Sequence, residues 1–331
     1  MRQLLSNKLF LLISTIIIVV VIDRIFIKKK SVGEFSSSSP AENLWIAPDS
    51  NSIPNTAEGK MILYGKALIK NTAFYLGPKG IISQSTNGMN CQNCHLDAGT
   101  KPWGNNYSGV FSTYPKYRER RGAVETIVQR VNDCLERSLN GNPLDSTSRE
   151  MQCILAYMKW LGKNVPKGQK PKGSGIPQPT FLNRAADPGK GKIVFETKCA
   201  KCHLSNGQGQ LNKDGITYLY PPLWGIQSYN TGAGLYRLSR FAGYVKNNMP
   251  FGVTYASIQL TDEEAWDVAA YVNSQPRPNK KFDEDWPNIA QKPFDHPYGP
   301  YADSFSEQQH KYGPFAPIQK AKENSQKKKS S

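Results

Sequence analysis

A chain of 331 residues has room for two cores of ordinary size and for tails, which makes one compact domain the less favoured reading. The formal net charge is +16, but residues 1–30 carry six basic groups and one acid and residues 316–331 carry five and one, so the ends supply +9 and the long middle only +7. No basic face interleaved with aromatics and no known module stands out, which argues against a nucleic-acid partner. The basic ends read as solubilising tails with some attraction for anionic lipid.

In chain order, residues 1–30 combine a basic start with an apolar run from Leu9 to Ile22. The run has signal-peptide length, and Ile25, Phe26 and Ile27 extend it towards the roughly 20 residues a span needs. Lys28 to Lys30 stand where a cleavage site belongs, so an uncleaved membrane anchor is preferred over a cleaved signal. Residues 31–53, rich in Ser, Pro and Asn, read as a linker, with order beginning near Thr56. A first globular unit is expected over 54–162, with helices at 57–70, 122–140 and 148–161. In the middle helix Val124, Ile127, Val128, Val131, Leu135 and Leu139 follow the 3.6-residue period, and Gly141 and Pro143 stop it.

Residues 163–180, a Pro, Gly and Lys stretch without periodicity, read as a second linker. A second unit over 181–275 opens with Asp187 as N-cap and Pro188 at the first helical position, and closes with a helix whose Thr261 and Glu264 have capping-box spacing. Strand signals are poor throughout. Residues 276–318, dense in Pro, Tyr and Phe, predict an extended segment wrapped over the domains, and 319–331 a disordered basic tail.

Four of the six cysteines fall in two copies of one pattern, Cys91-Gln92-Asn93-Cys94-His95 and Cys199-Ala200-Lys201-Cys202-His203. This CxxCH spacing is that of c-type haem attachment, where two thiols bond to the porphyrin and the adjacent histidine ligates iron. A thioredoxin-like motif explains CxxC but not the following histidine twice, and zinc ribbons pair their halves over about 15–20 residues, whereas these lie 108 apart. Two covalent haem c groups are therefore expected, and with them domains outside the cytoplasm, in the periplasm, tethered through residues 1–30.

Each iron then needs a sixth ligand. His296 and His310 lie in the C-terminal wrap, where surface or packing roles are expected. For the second haem, Met249 follows His203 by 46 residues. The order GKIVFETKCAKCH, PPLWG, VKNNMPFG, LTDEEAWDVAAYV resembles a class I cytochrome c, and that resemblance implies His203/Met249 ligation. The fold class expected is mostly α, with two class I cytochrome c-like domains, long irregular loops and an extended C-terminal wrap. For the first haem no equivalent methionine stands out, and Cys134 lies 39 residues beyond His95 with Arg130 and Ser138 each four residues away on one side of its helix. Ligand is the leading reading of Cys134. A disulfide with Cys153 stays open, and for Cys153 a buried packing role is preferred.

With these residues in view the chain resembles the dihaem thiosulfate dehydrogenases, tetrathionate-forming c-type cytochromes, from about residue 58 to 318. YGKALIKNTAFYLGPKG, NGMNCQNCHLDAGTKPWGNNY, YPKYRERRG, RVNDCLERSLNG, EMQCILAYMKWLG, FAGYVKNNMPFG and YGPYADSFSEQQHKYGPFAPI carry the resemblance. It implies that Cys134 is the axial ligand opposite His95, that Arg120, Arg130 and Ser138 form the substrate pocket, with Arg118 and Arg121 as alternatives to Arg120, and that thiosulfate and tetrathionate are the substrates. In some members a lysine precedes the second-haem methionine; here that position is Asn248. The electrons would pass to an acceptor such as a small cytochrome c or a high-potential redox protein. The rival reading is a non-catalytic, membrane-tethered dihaem electron carrier.

Overall fold

The computed structural model describes residues 44–330, so the expected anchor at 1–30 and most of the first linker lie outside the described residues. Among the described residues no helix is long and apolar enough to cross a membrane.

Two pairs of crossed helices organise the molecule. In the first half, helix Ala57–Lys70 starts at Thr56, whose hydroxyl accepts from the Gly59 N–H at 3.2 Å, and packs across helix Arg149–Leu161, capped by Ser148. Their backbones meet at Gly65, where a Cβ would lie 2.0 Å from the Cys153 carbonyl oxygen. In the second half, helix Pro188–Lys198, capped by the Asp187 side chain, packs across helix Asp262–Ser274, which opens on the Thr261/Glu264 capping box. Here Gly191 makes the close approach, its missing Cβ 1.9 Å from the Asp267 oxygen. Around these crossings lie Leu68, Ile69, Ile154 and Leu161 in one half and Phe195, Trp266, Ala269 and Val272 in the other, all at most 2% exposed.

Several expectations are corrected. The helix expected over 122–140 is shorter: Lys116–Arg118 and Ala123–Glu125 form an antiparallel hairpin, Thr126 caps the chain with Gln129, and the helix runs only Ile127–Arg137. Val124, counted in the apolar stripe, is a strand residue and is 61% exposed. Order begins before Thr56, since Trp45 donates its N–H to Lys172 O and Asp49 caps a turn at Ser50–Ser52.

The stretch 163–180 is packed rather than free. Trp103 N–H donates to Gly173 O at 2.7 Å, Asn105 N–H to Gly175 O at 3.0 Å, and Ser174 is buried against Ser108. The C-terminal wrap does cover both halves: Trp286 N–H bonds Arg120 O and the Tyr298 hydroxyl bonds Thr231 O. It also contains a short helix, Glu307–Tyr312. The tail expected to be disordered continues as helix Ala316–Ser330, started by buried Phe315 and Ile318 and composed largely of Lys, Ala, Gln and Glu, which favour a helix.

Candidate functional site

The first CxxCH motif is held by polar contacts on both sides. Cys91 N–H donates to Thr72 Oγ1 at 3.0 Å, and Asn90 accepts from Ala73 N–H at 2.8 Å. His95 Nδ1 bonds the Asn105 carbonyl at 2.6 Å, which commits Nδ1–H as the donor and leaves Nε2 its lone pair. Burial first, and then Arg130, drives the His95 pKa down to about 4, so the imidazole is neutral, as ligation requires. Tyr107 stacks on the ring at 4.5 Å between centroids. Tyr107 can sit there because Gly99, at φ +83°, has no Cβ; one would lie 2.0 Å from the tyrosine ring.

The second motif repeats the arrangement. His203 Nδ1 bonds Pro221 O at 2.8 Å, and burial lowers its pKa also. Pro221 belongs to the PPLWG loop, whose Trp224 packs over Gly207. Met249 caps helix Leu238–Asn248, and Phe251, two residues on, approaches Tyr220, which in turn contacts the His203 ring at 6.3 Å. That chain of rings brings the Met249 loop beside the second motif.

A cavity of about 340 Å³ opens beside the first motif. Cys91, Cys94 and His95 line it together with Cys134, Arg130, Ser138 and Arg120, so the residues that sequence spacing grouped are brought to one place with Arg120, which the resemblance implied. The Cys134 sulfur is the largest influence on Arg130, raising its pKa, while burial and then the neighbouring Arg137 and Arg130 lower that of Arg120 to about 10. Arg118 lines the cavity as well but is paired with Glu125 at 3.3 Å. Arg121 does not line it and faces Asp133 at 3.5 Å. Arg137 instead clamps Asp285 with two bonds of 2.7 and 2.8 Å and stacks over Phe282, which ties its helix to the C-terminal wrap.

Cys134 and Cys153 are both free, and Cys153 is 1% exposed at the first helix crossing. His310 has both ring nitrogens engaged, by Phe294 O and Asp303, and His296 Nδ1 meets Tyr298 O; both are packing residues. Sequence reasoning missed the cations that other segments bring to the cavity, Lys116, Lys170, Arg237 and Arg240. No local pattern around Cys134 points to them.

The comparisons with known proteins agree with the two motifs. Residues 82–166 match the family model described as SoxA/TsdA, cytochrome c domain, and residues 189–276 match that described as cytochrome c. The thiosulfate dehydrogenase of Psychrobacter arcticus is 38% identical over 73% of this chain and 71% of its own length. That of Allochromatium vinosum is 40% identical over 68% and 82%. The solved thiosulfate dehydrogenase TsdBA of Marichromatium purpuratum superposes with a TM-score of 0.67 at 29% identity, over 72% of this chain and 51% of that one, so the chain spans about half its length. Two cytochrome c domains carry two covalently bound haem c groups, and the residues present fit them: paired thiols, histidines with Nδ1 already engaged and, at the first, an apolar-walled cavity containing Leu68, Ile69, Ile154 and Met158.

Proposed function

Because the chain belongs to the thiosulfate dehydrogenase family, we propose that it couples two thiosulfates into tetrathionate, or runs the reverse reaction, in the cavity beside His95. The observation that carries this reading is the convergence of Cys134, Arg120, Arg130 and Ser138 on the cavity that also holds the first CxxCH motif. His95 and Cys134 would ligate the first iron, and His203 and Met249 the second. When bound, the two haems supply one-electron acceptance each, which together accommodates the two electrons released as one S–S bond forms and passes them to a small cytochrome c or high-potential acceptor outside the cytoplasm.

The chain's own part is electrostatic. Thiosulfate is a dianion, and two of them repel as their sulfurs approach. Arg130 takes part in no salt bridge among the described residues, and Arg120 shares Asp133, 3.8 Å away, with Arg121 and Arg137, so cations outnumber that acid, and in a partly desolvated pocket such groups orient oxyanions and offset the repulsion. The Ser138 hydroxyl, one turn beyond Cys134 whose carbonyl its N–H bonds, adds a neutral donor. The test is to add thiosulfate, then tetrathionate, to purified holoprotein and follow haem absorbance. Substrate-dependent reduction or oxidation is expected; no response to either would leave the electron-carrier reading in its place.

A further inference from the structure

Cations from both cytochrome c domains line the cavity, and their pairing separates them. Arg118 is matched by Glu125 at 3.3 Å, Arg137 by Asp285 at 2.7 Å and Arg237 by Asp295 at 2.5 Å, so three charges are balanced inside the protein. Arg130 and Arg240 are the arginines of this lining that take part in no salt bridge among the described residues, and Lys116 and Lys170 take part in none either.

Arg240 belongs to the first turn of helix Leu238–Asn248 in the second domain. The acid acting on it, Asp295, is also occupied by the Ser239 N–H at 3.0 Å and the Ser239 hydroxyl at 2.5 Å. Arg240 is accessible, as a side chain lining an open cavity has to be. Enough protein surrounds it that desolvation, then repulsion from Arg237, holds its pKa below the ordinary arginine value. A guanidinium in that condition offers its five N–H donors to an incoming anion. Its helix is anchored: Tyr244, four residues on, donates to Asn93 O at 2.6 Å, and Asn248, eight residues on, donates to Trp103 O at 3.2 Å. Arg240, Tyr244 and Asn248 therefore share one side of the helix, the side that meets the first domain.

We propose that Arg240 is a third substrate-binding arginine, holding a sulfur oxyanion in the first-haem cavity from the second domain, so that the substrate site is complete only with both domains in place. The inference rests on the functional reading above and deepens it. Arg120 and Arg130 share a domain with Cys134, and two dianions brought together there need more positive charge than those two groups supply; Arg240 adds it from a separate element. The carboxylates of the haem are the other anions this guanidinium could meet, and the test separates the two sources.

The experiment compares the parent holoprotein with Arg240→Gln and Arg240→Lys. It uses calorimetric titration of sulfate, a non-reacting anion, together with KM and kcat for thiosulfate and the haem spectrum without added anion. Arg240→Gln is expected to weaken sulfate binding and raise KM by roughly tenfold, with kcat and spectrum little changed. Arg240→Lys, which keeps the charge but loses the planar fork, should raise KM by roughly threefold. If Arg240→Gln does not accumulate as holoprotein, the lysine variant carries the same readouts. Unaltered sulfate binding and KM overturn the proposal, and so does a spectrum that moves without anion while affinity stays, which assigns Arg240 to the haem carboxylates. A parent that responds to neither thiosulfate nor tetrathionate sinks the functional reading itself, whereas a parent that turns over beside an unaltered Arg240→Gln removes Arg240 alone.

Discussion

The two CxxCH sites are alike beneath the histidine and unlike above it. His95 and His203 both give Nδ1 to a backbone carbonyl, and both stand beside a helix crossing that only glycine permits, Gly65 in one half and Gly191 in the other. Around the histidine the first has Cys134 on a helix with Arg130 one turn before it, opening on a cation-lined cavity. The second has the loop of Met249 and Phe251, with Tyr220 between that loop and the histidine. The shared half is scaffold; the half that differs is where the two sites can be told apart.

The sharpest way to break that comparison is to make the first site like the second. Cys134→Met should keep both haems attached, by mass, and leave the second reducible, yet lower thiosulfate turnover by at least about 10³-fold, the scale of removing a group that acts in the chemical step. Retained turnover would erase the distinction between the sites. Arg130→Gln should cost about 10²–10³-fold in kcat/KM at unchanged haem content, measured by steady-state kinetics; a variant with parental kcat/KM would show that the arginine-bearing face is inert.

The shared half is probed by Gly65→Ala and Gly191→Ala. Each places a methyl against a backbone carbonyl at about 2 Å, and each should destabilise by about 1–3 kcal/mol. Thermal unfolding of the two variants should give similar losses; a cost at only one crossing would mean the scaffolds are not equivalent.

The smallest effect concerns Asp295, the buried partner of cavity-lining Arg237. Burial pushes the Asp295 carboxyl up, but Arg237 and Ser239 together hold it below the ordinary carboxylate value. A depressed folded pKa contributes stability that is fully present above the unfolded value of about 3.9 and is lost as pH falls through the folded one. Asp295→Asn should therefore lower Tm at neutral pH, and its gap to the parent should shrink below about pH 4. A gap that does not change with pH would separate the loss from this charge.

What could be read from the sequence follows how local each determinant is. The haem motifs, the caps at Asp187 and Thr261 and the grouping of Arg130, Cys134 and Ser138 depend on residues within a turn or two of each other, and the structure has them so placed. The hairpin before Thr126 was hidden because Val124 fell by chance in phase with a helical stripe it does not share. Arg137 is three residues from the thiol, but its partner Asp285 lies 148 residues away, beyond the reach of any periodicity. Arg240 was hidden for the same reason, since it reaches the cavity that Cys134 lines from a different domain.

The stretch 163–180 has the composition of a tether, yet its carbonyls at Gly173 and Gly175 receive N–H groups from the 103–105 loop, the loop whose Asn105 carbonyl orients His95. Those backbone hydrogen bonds tie the stretch to the loop that orients the histidine of the first motif. The stretch is thus a brace rather than a tether: displacing it would release the loop that fixes which nitrogen of His95 carries its hydrogen.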